Sequence, residues 1–233
     1  MSAMRGALFY ALFYGGMLVV GAVMAPVALA SARGARWVAK TFFRGSLVAL
    51  RLVCGLRVRI DGAVPDGPVI VAAKHQTMLD VIALFATLPE AHFVMKRELT
   101  RAPVFGWYAR RVGTVAVDRG AGRDAVRTMV AEMTAGERGG QMVIFPQGTR
   151  VPPGRSAPYK AGVHALYEAT GRTVIPAAAN LGAFMPRGMG IRPGVAAIAF
   201  LDPIAPGLAR GPFMAILERE IERETARLSA RAG

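Results

Sequence analysis

The chain opens on a long apolar run and then changes rhythm twice. Between Arg5 and Arg33 lie 27 uncharged residues, "GALFYALFYGGMLVVGAVMAPVALASA". As a helix this is long enough to cross a bilayer core. Gly15-Gly16 and Pro26 are places where it can bend, so a re-entrant hairpin competes with a span. A cleaved secretory signal is the third reading, since "ALASA" holds a small-x-small pattern, but the apolar stretch exceeds the usual core of such a signal. The next stretch, "RGARWVAKTFFRGSLVALR", is amphipathic. Arg33, Arg36, Lys40, Arg44 and Arg51 fall within roughly 80° of one another at a helical turn of 100° per residue. It reads as a helix lying in the membrane interface with its basic stripe on lipid phosphates. The alternative is a helix docked on the protein with a solvated basic face.

From residue 57 short apolar runs alternate with helical patterns. Strands are predicted at 57–61, 69–73, 92–95, 114–117, 141–145, 173–179 and 195–201, and helices at 78–87, 103–111, 122–135, 160–169 and 212–229. Alternation of this kind predicts an α/β fold, a mostly parallel mixed sheet flanked by helices, with an N-terminal membrane-anchoring helical segment. The organisation is therefore an anchor and basic helix over residues 1–56 and one α/β domain over 57–233. Residues 150–160, "RVPPGRSAPYK", form a loop on their Pro and Gly content. The tail "LEREIERETARLSAR" alternates charge signs at helical spacing and reads as a solvated helix face.

Charge sharpens this picture. The net charge is +14, 53% of residues are hydrophobic and the mean hydropathy is +0.37. Such a balance favours anionic partners. Nucleic acid is not among those expected, because no nucleic-acid motif or aromatic interleaving accompanies the Arg residues. Residues 1–60 carry eight Lys or Arg and no Asp or Glu. A basic cluster after an apolar anchor predicts that the remainder lies on the cytoplasmic side of the inner membrane. The one cysteine, Cys54, allows no internal disulfide and fits a reducing compartment.

Ligands of open α/β sheets gather outside the carboxyl ends of strands. His75 follows "VIVAA", Lys96 and Arg97 follow "HFVM", and Arg150 follows "QMVIFPQGT". If these strands are parallel, a histidine and three cations share one rim, where a phosphate can sit beside a base. In "KHQTMLD" a helix starting near Thr77 leaves His75 in the preceding turn and lets Asp80 reach back to the imidazole. The same letters fit a capping box, Thr77 as N-cap and Asp80 at N3, with no catalytic task. In "FPQGTR" Gly148 lets backbone N–H groups approach an anion, and Arg150 can grip it. Backbone N–H groups near the His75 turn or Gly148 are the candidate oxyanion donors. No G-x-S-x-G elbow, H-E-x-x-H, Walker A or dinucleotide motif occurs. His92 and His164 read as structural or exposed.

The order of these pieces resembles the glycerolipid acyltransferases, above all the bacterial 1-acyl-glycerol-3-phosphate acyltransferases. "KHQTMLD" is similar to their H-x4-D block, and "VMKREL" followed by "PVFGWYARRVGTVAVDR" to their second. "FPQGTR" followed by "YKAGVHALY" is similar to their F-P-E-G-T-R block, and "VIPAAAN" to their fourth. The resemblance covers roughly residues 57–205 and implies a glycerolphosphate acyltransferase-like fold. It implies transfer of an acyl chain from acyl-CoA or acyl carrier protein to the hydroxyl of a lysophospholipid in the membrane. His75 would be the general base and Asp80 its partner. Lys96, Arg97, Gly148, Thr149 and Arg150 would hold the acceptor, with no cofactor, metal or acyl-enzyme. The third block departs from the pattern: Gln147 stands where the family carries Glu. Its oxygen is expected to orient Arg150 or an acceptor hydroxyl. A lyso-aminolipid acceptor and a non-catalytic anion-binding module are the competing readings.

Overall fold

The structure is a computed structural model that describes residues 2–118, 120–135 and 139–231. Residues 1, 119, 136–138, 232 and 233 of the two expected regions lie outside these. The apolar run forms α1 (Ser2–Val23), which continues through Gly15-Gly16, then α2 (Ala25–Ala30) and α3 (Ala32–Cys54). The break falls at Met24, and Pro26 sits in the first turn of α2, where its missing N–H costs nothing. Ser31 caps α3 by accepting the Gly34 N–H at 2.9 Å. Helices α1 and α3 are antiparallel. The rings of Phe13 and Phe42 lie 5.3 Å apart, and the Cys54 thiol donates to Arg5 O.

Helix α1 is by length and composition able to cross a membrane, and it folds back against α3. Helix α1 is fastened along its length to the α/β domain. Gly6 packs on Met189, where a Cβ would meet the Met189 oxygen at 1.7 Å. The Tyr10 hydroxyl donates to Gly188 O at 3.3 Å, and the Tyr108 hydroxyl donates to Gly21 O at 3.1 Å. The outward face keeps Leu8, Leu12, Leu18, Val19, Trp37 and Leu52 exposed. So broad an apolar surface is unusual on a protein surrounded by water.

The basic stripe of α3 is used differently from its expected place on lipid phosphates. Helix α4 (Met78–Thr87) ends against it. Arg44 donates to Ala86 O, Lys40 to Leu88 O at 2.7 Å, and Arg36 to Ala91 O at 2.9 Å. The carbonyls around a helix C-terminus need donors and favour cations, and the stripe supplies both. Burial, with repulsion from Arg44 and Arg36 added, holds the Lys40 ammonium below its usual pKa.

The domain proper is a seven-stranded sheet built from β1 (Leu56–Asp61), β2 (Ile70–Ala73), β3 (Ala91–Lys96), β4 (Val115–Val117), β5 (Gln141–Ile144), β6 (Val174–Ala179) and β7 (Gly194–Phe200). The strand order is β1-β7-β6-β2-β5-β3-β4, and every pairing is parallel except β6 with β7. Around it run α5 (Phe105–Arg111), α6 (Gly122–Thr134), α7 (Gly162–Thr170), the short α8 (Leu181–Phe184) and α9 (Arg210–Ala230). A 3-10 turn over Arg97–Arg101 and α8 carry too few residues to show a period, and the sequence did not announce them.

Strand β2 is buried on both faces, as parallel strands are. Its period of two sorts the neighbours. Val71 and Ala73 join the core shared with α4 and the hairpin, while Ile70 and Ala72 join the core shared with α6, α7 and α9. The same alternation sends Lys74 and His75 to opposite sides. Lys74, 2% exposed, reaches Glu222 Oε1 and Oε2 at 2.6 and 2.7 Å, and the Tyr159 hydroxyl donates to the same carboxylate at 2.9 Å. Burial first, and the Glu222 charge second, push the Tyr159 phenol well above its ordinary pKa. The tail is therefore not only a solvated face. Glu222 on α9 neutralises a buried cation, and Phe213, Leu217 and Ile221 pack inward beside it.

Candidate active site

The turn between β2 and α4 satisfies both readings of "KHQTMLD". Thr77 is the N-cap of α4, and the capping box with Asp80 is complete. Asp80 Oδ2 accepts three hydrogen bonds, from Gln76 N–H at 2.6 Å, Thr77 N–H at 2.8 Å and His75 Nδ1–H at 2.9 Å. Asp80 is wholly buried, and its Oδ1 has no partner among the described residues. One carboxylate oxygen thus shapes the turn and fixes the imidazole tautomer, leaving Nε2 as the nitrogen that can take a proton. The ring is also held from one face. Phe145 stacks on it with centroids 4.0 Å apart and planes 17° apart.

His75 lines a cavity of about 640 Å³. Lys96, Thr149 and Arg150 line it too, so three of the expected acceptor residues gather with the histidine. Lys96 is paired with Glu98 at 3.1 Å. The remaining wall is apolar. Rings run from the histidine along it: Phe145 to Phe93 at 6.2 Å, Phe93 to Phe85 at 6.0 Å, Phe85 to Phe43 at 5.3 Å. Phe13, Met17, Ala39 and Phe43 of the hairpin complete the wall, so the N-terminal segment is part of the cavity.

Other expected residues stand apart. Arg97 is exposed and does not line the cavity. Gly148 takes φ 67, a conformation that suits glycine, and its N–H donates to Phe145 O at 2.9 Å. That N–H is therefore spent on the turn, as those of Gln76 and Thr77 are spent on Asp80. These three N–H groups are engaged within the protein and so lend no support to the expected oxyanion role. Gln147 is 2% exposed, and neither amide atom has a partner among the described residues. It does not orient Arg150 through a hydrogen bond. His92 and His164 are buried away from the cavity, His164 Nε2 lying 3.4 Å from Leu208 O. Among the described residues no three His, Cys, Asp or Glu side chains are grouped to hold a metal ion.

Sequence reasoning missed Phe145 as a stacking partner and Arg187 as a cavity residue. Phe145 opens a quoted block, but its ring contact needs the parallel pairing that brings β5 beside β2. Arg187 sits in "FMPRGMG", which carries no spacing signal.

Comparison with known proteins agrees with this architecture. A family described as Acyltransferase matches residues 55–180. The 1-acyl-sn-glycerol-3-phosphate acyltransferase of Pseudomonas aeruginosa is 30% identical over 191 residues, 79% of this chain and 74% of that protein. The 1-acyl-sn-glycerol-3-phosphate acyltransferase alpha of Ovis aries is 32% identical over 161 residues, 66% of this chain and 55% of its own length. The crystal structure of the 1-acyl-sn-glycerophosphate acyltransferase from Thermotoga maritima shares the fold, with a TM-score of 0.80 over 100% of both chains at 23% identity.

Proposed function

The chain belongs to the Acyltransferase family, and on that premise we propose that it acylates the free hydroxyl of 1-acyl-sn-glycerol-3-phosphate to give phosphatidic acid. The observation that supports this most is one arrangement: an imidazole held by Asp80 in the wall of a mostly apolar cavity that Arg150 and Lys96 also line.

In this reading the acceptor's phosphate sits against Arg150 and Lys96, which brings its hydroxyl to His75. His75 Nε2 takes the hydroxyl proton as the oxygen attacks the thioester carbonyl carbon. The tetrahedral adduct collapses, the carbon–sulfur bond breaks, and the thiolate of coenzyme A or acyl carrier protein leaves. Asp80 steadies the imidazolium that forms. The aromatic-walled cavity takes an acyl chain, each buried methylene contributing about 0.8 kcal/mol. The reaction needs no redox or metal chemistry from this chain.

The test is product analysis from a panel of lysolipids, each offered with acyl-CoA and with acyl carrier protein thioester. Phosphatidic acid as the dominant product supports the reading. A lyso-aminolipid as the preferred acceptor, or no thioester consumption at all, overturns it. A sharper result is expected from Arg150→Ala. Losing a charge-assisted contact costs roughly 1.5–3 kcal/mol, so the KM for lysophosphatidic acid should rise about 10- to 100-fold while that of the thioester stays close to wild type. A change in the donor term alone removes Arg150 from the acceptor site.

The exposed apolar face of the hairpin supports membrane association, the basic cluster that follows the apolar run supports a cytoplasmic domain, and the length of that run supports an uncleaved N-terminus. The full chain is expected to leave membranes in detergent and to remain in high salt, because apolar burial is not screened. Release by salt alone, or mature protein beginning near Ala32, contradicts this.

A further inference from the structure

The cavity's charge is one-sided. Its described lining residues include Lys96, Arg150 and Arg187 and no Asp or Glu. Lys96 is compensated by Glu98, but neither Arg150 nor Arg187 has an ion-pair or hydrogen-bond partner among the described residues. The position that supplies an acid in the resembled block is Gln147 here, so no carboxylate from that turn offsets them. Arg187 comes from a segment outside the four blocks, the link between α8 and β7. That link is held in place at several points. Gly6 of α1 packs on Met189, the Tyr10 hydroxyl donates to Gly188 O, and Arg192 N–H donates to Phe184 O at 2.8 Å.

We propose that Arg187 is a specificity-determining residue that, with Arg150, selects an acceptor bearing a phosphate monoester over one bearing a phosphate diester. The inference rests on the acyltransferase reading above and refines its acceptor. A monoester carries about −1.5 to −2 at pH 7 and three acceptor oxygens. A diester carries a single negative charge, and its second substituent fills the place where the second guanidinium binds. Arg150 and Arg187 line the same cavity, and two guanidinium groups that both reach one phosphate match a monoester in charge and in fork geometry. Both arginines are exposed, so discrimination rests on the second contact itself: a singly charged, doubly substituted headgroup engages one guanidinium where a monoester engages two. A nucleotide-bearing thioester also carries phosphate, so the donor is the competing source of the same contact.

The test uses the full-length enzyme in mixed micelles and compares wild type, Arg187→Ala and Arg187→Lys. KM and kcat are measured for lysophosphatidic acid, for lysophosphatidylglycerol and for the acyl thioester. The expected result for Arg187→Ala is a rise of about tenfold in KM for lysophosphatidic acid, with kcat and the thioester KM within about twofold of wild type. The preference for monoester over diester should fall by a similar factor. Arg187→Lys, which keeps the charge but loses the fork, should recover part of that preference. An unchanged preference in Arg187→Ala, or a rise confined to the thioester KM, overturns the assignment while leaving the acyltransferase reading intact. Failure of the wild-type enzyme to acylate lysophosphatidic acid overturns both.

Discussion

Replacing His75 with alanine is expected to lower turnover by about 10²–10⁴-fold, the usual contribution of a general base, in a protein that still folds and still binds membrane. The fold should survive because little depends on the imidazole. Among the described residues the ring's one hydrogen bond is to Asp80 Oδ2, and that oxygen keeps the N–H groups of Gln76 and Thr77 after the ring is gone. The space left behind opens onto an existing cavity, so it adds no sealed void. The measurement is kcat for lysophosphatidic acid, with a thermal melt and liposome flotation as controls. A folded His75→Ala protein turning over within a few-fold of wild type would remove the histidine from the mechanism.

Asp80→Asn separates two tasks that one side chain performs. If the amide oxygen takes the place of Oδ2, it still accepts from the two backbone N–H groups and from His75. The amide nitrogen then falls where Oδ1 stands, a buried spot without a hydrogen-bond partner among the described residues. That unpaired donor should cost roughly 1–3 kcal/mol of stability. The loss of charge beside the imidazolium is a separate effect and should lower turnover by about 10²–10⁴-fold, as for a triad aspartate, with the acceptor KM little changed. Denaturant unfolding measures the first effect and steady-state kinetics the second. If stability falls and turnover does not, the residue is a helix cap and nothing more.

The two outcomes bear on how far the sequence could be read. Helix 78–87 was predicted residue for residue, because Thr77 and Asp80 mark its start and the apolar period is unbroken. The expectation from the strand ends put His75, Lys96, Arg97 and Arg150 on one rim, and His75, Lys96 and Arg150 do line one cavity while Arg97 does not. What eluded the sequence were contacts between elements. Periodicity showed that α3 has a basic face but not what that face meets, and it meets the carbonyls after α4. Glu222 looked like one of many surface charges, and only the approach of α9 to the end of β2 shows it neutralising Lys74. The glycine pair in α1 suggested a bend that packing against the domain does not call for. Arg187 has no motif, and only the folded link beside α1 brings it to the cavity.

The shared wall between hairpin and domain has an evolutionary consequence. Anchors of membrane enzymes are often treated as interchangeable parts, any hydrophobic segment serving to keep the catalyst near its lipid. Here Phe13, Met17, Ala39 and Phe43 of the N-terminal helices line the cavity that His75 also lines. A sequence drift that merely preserved hydrophobicity in the first 54 residues would not be neutral, since it would reshape the cavity. On the proposed function, the segment would answer to two constraints, one tolerant and set by the bilayer, one exacting and set by the acyl chain. Under that double constraint, anchor and domain would be expected to be inherited as a single unit, without recombination at residue 55.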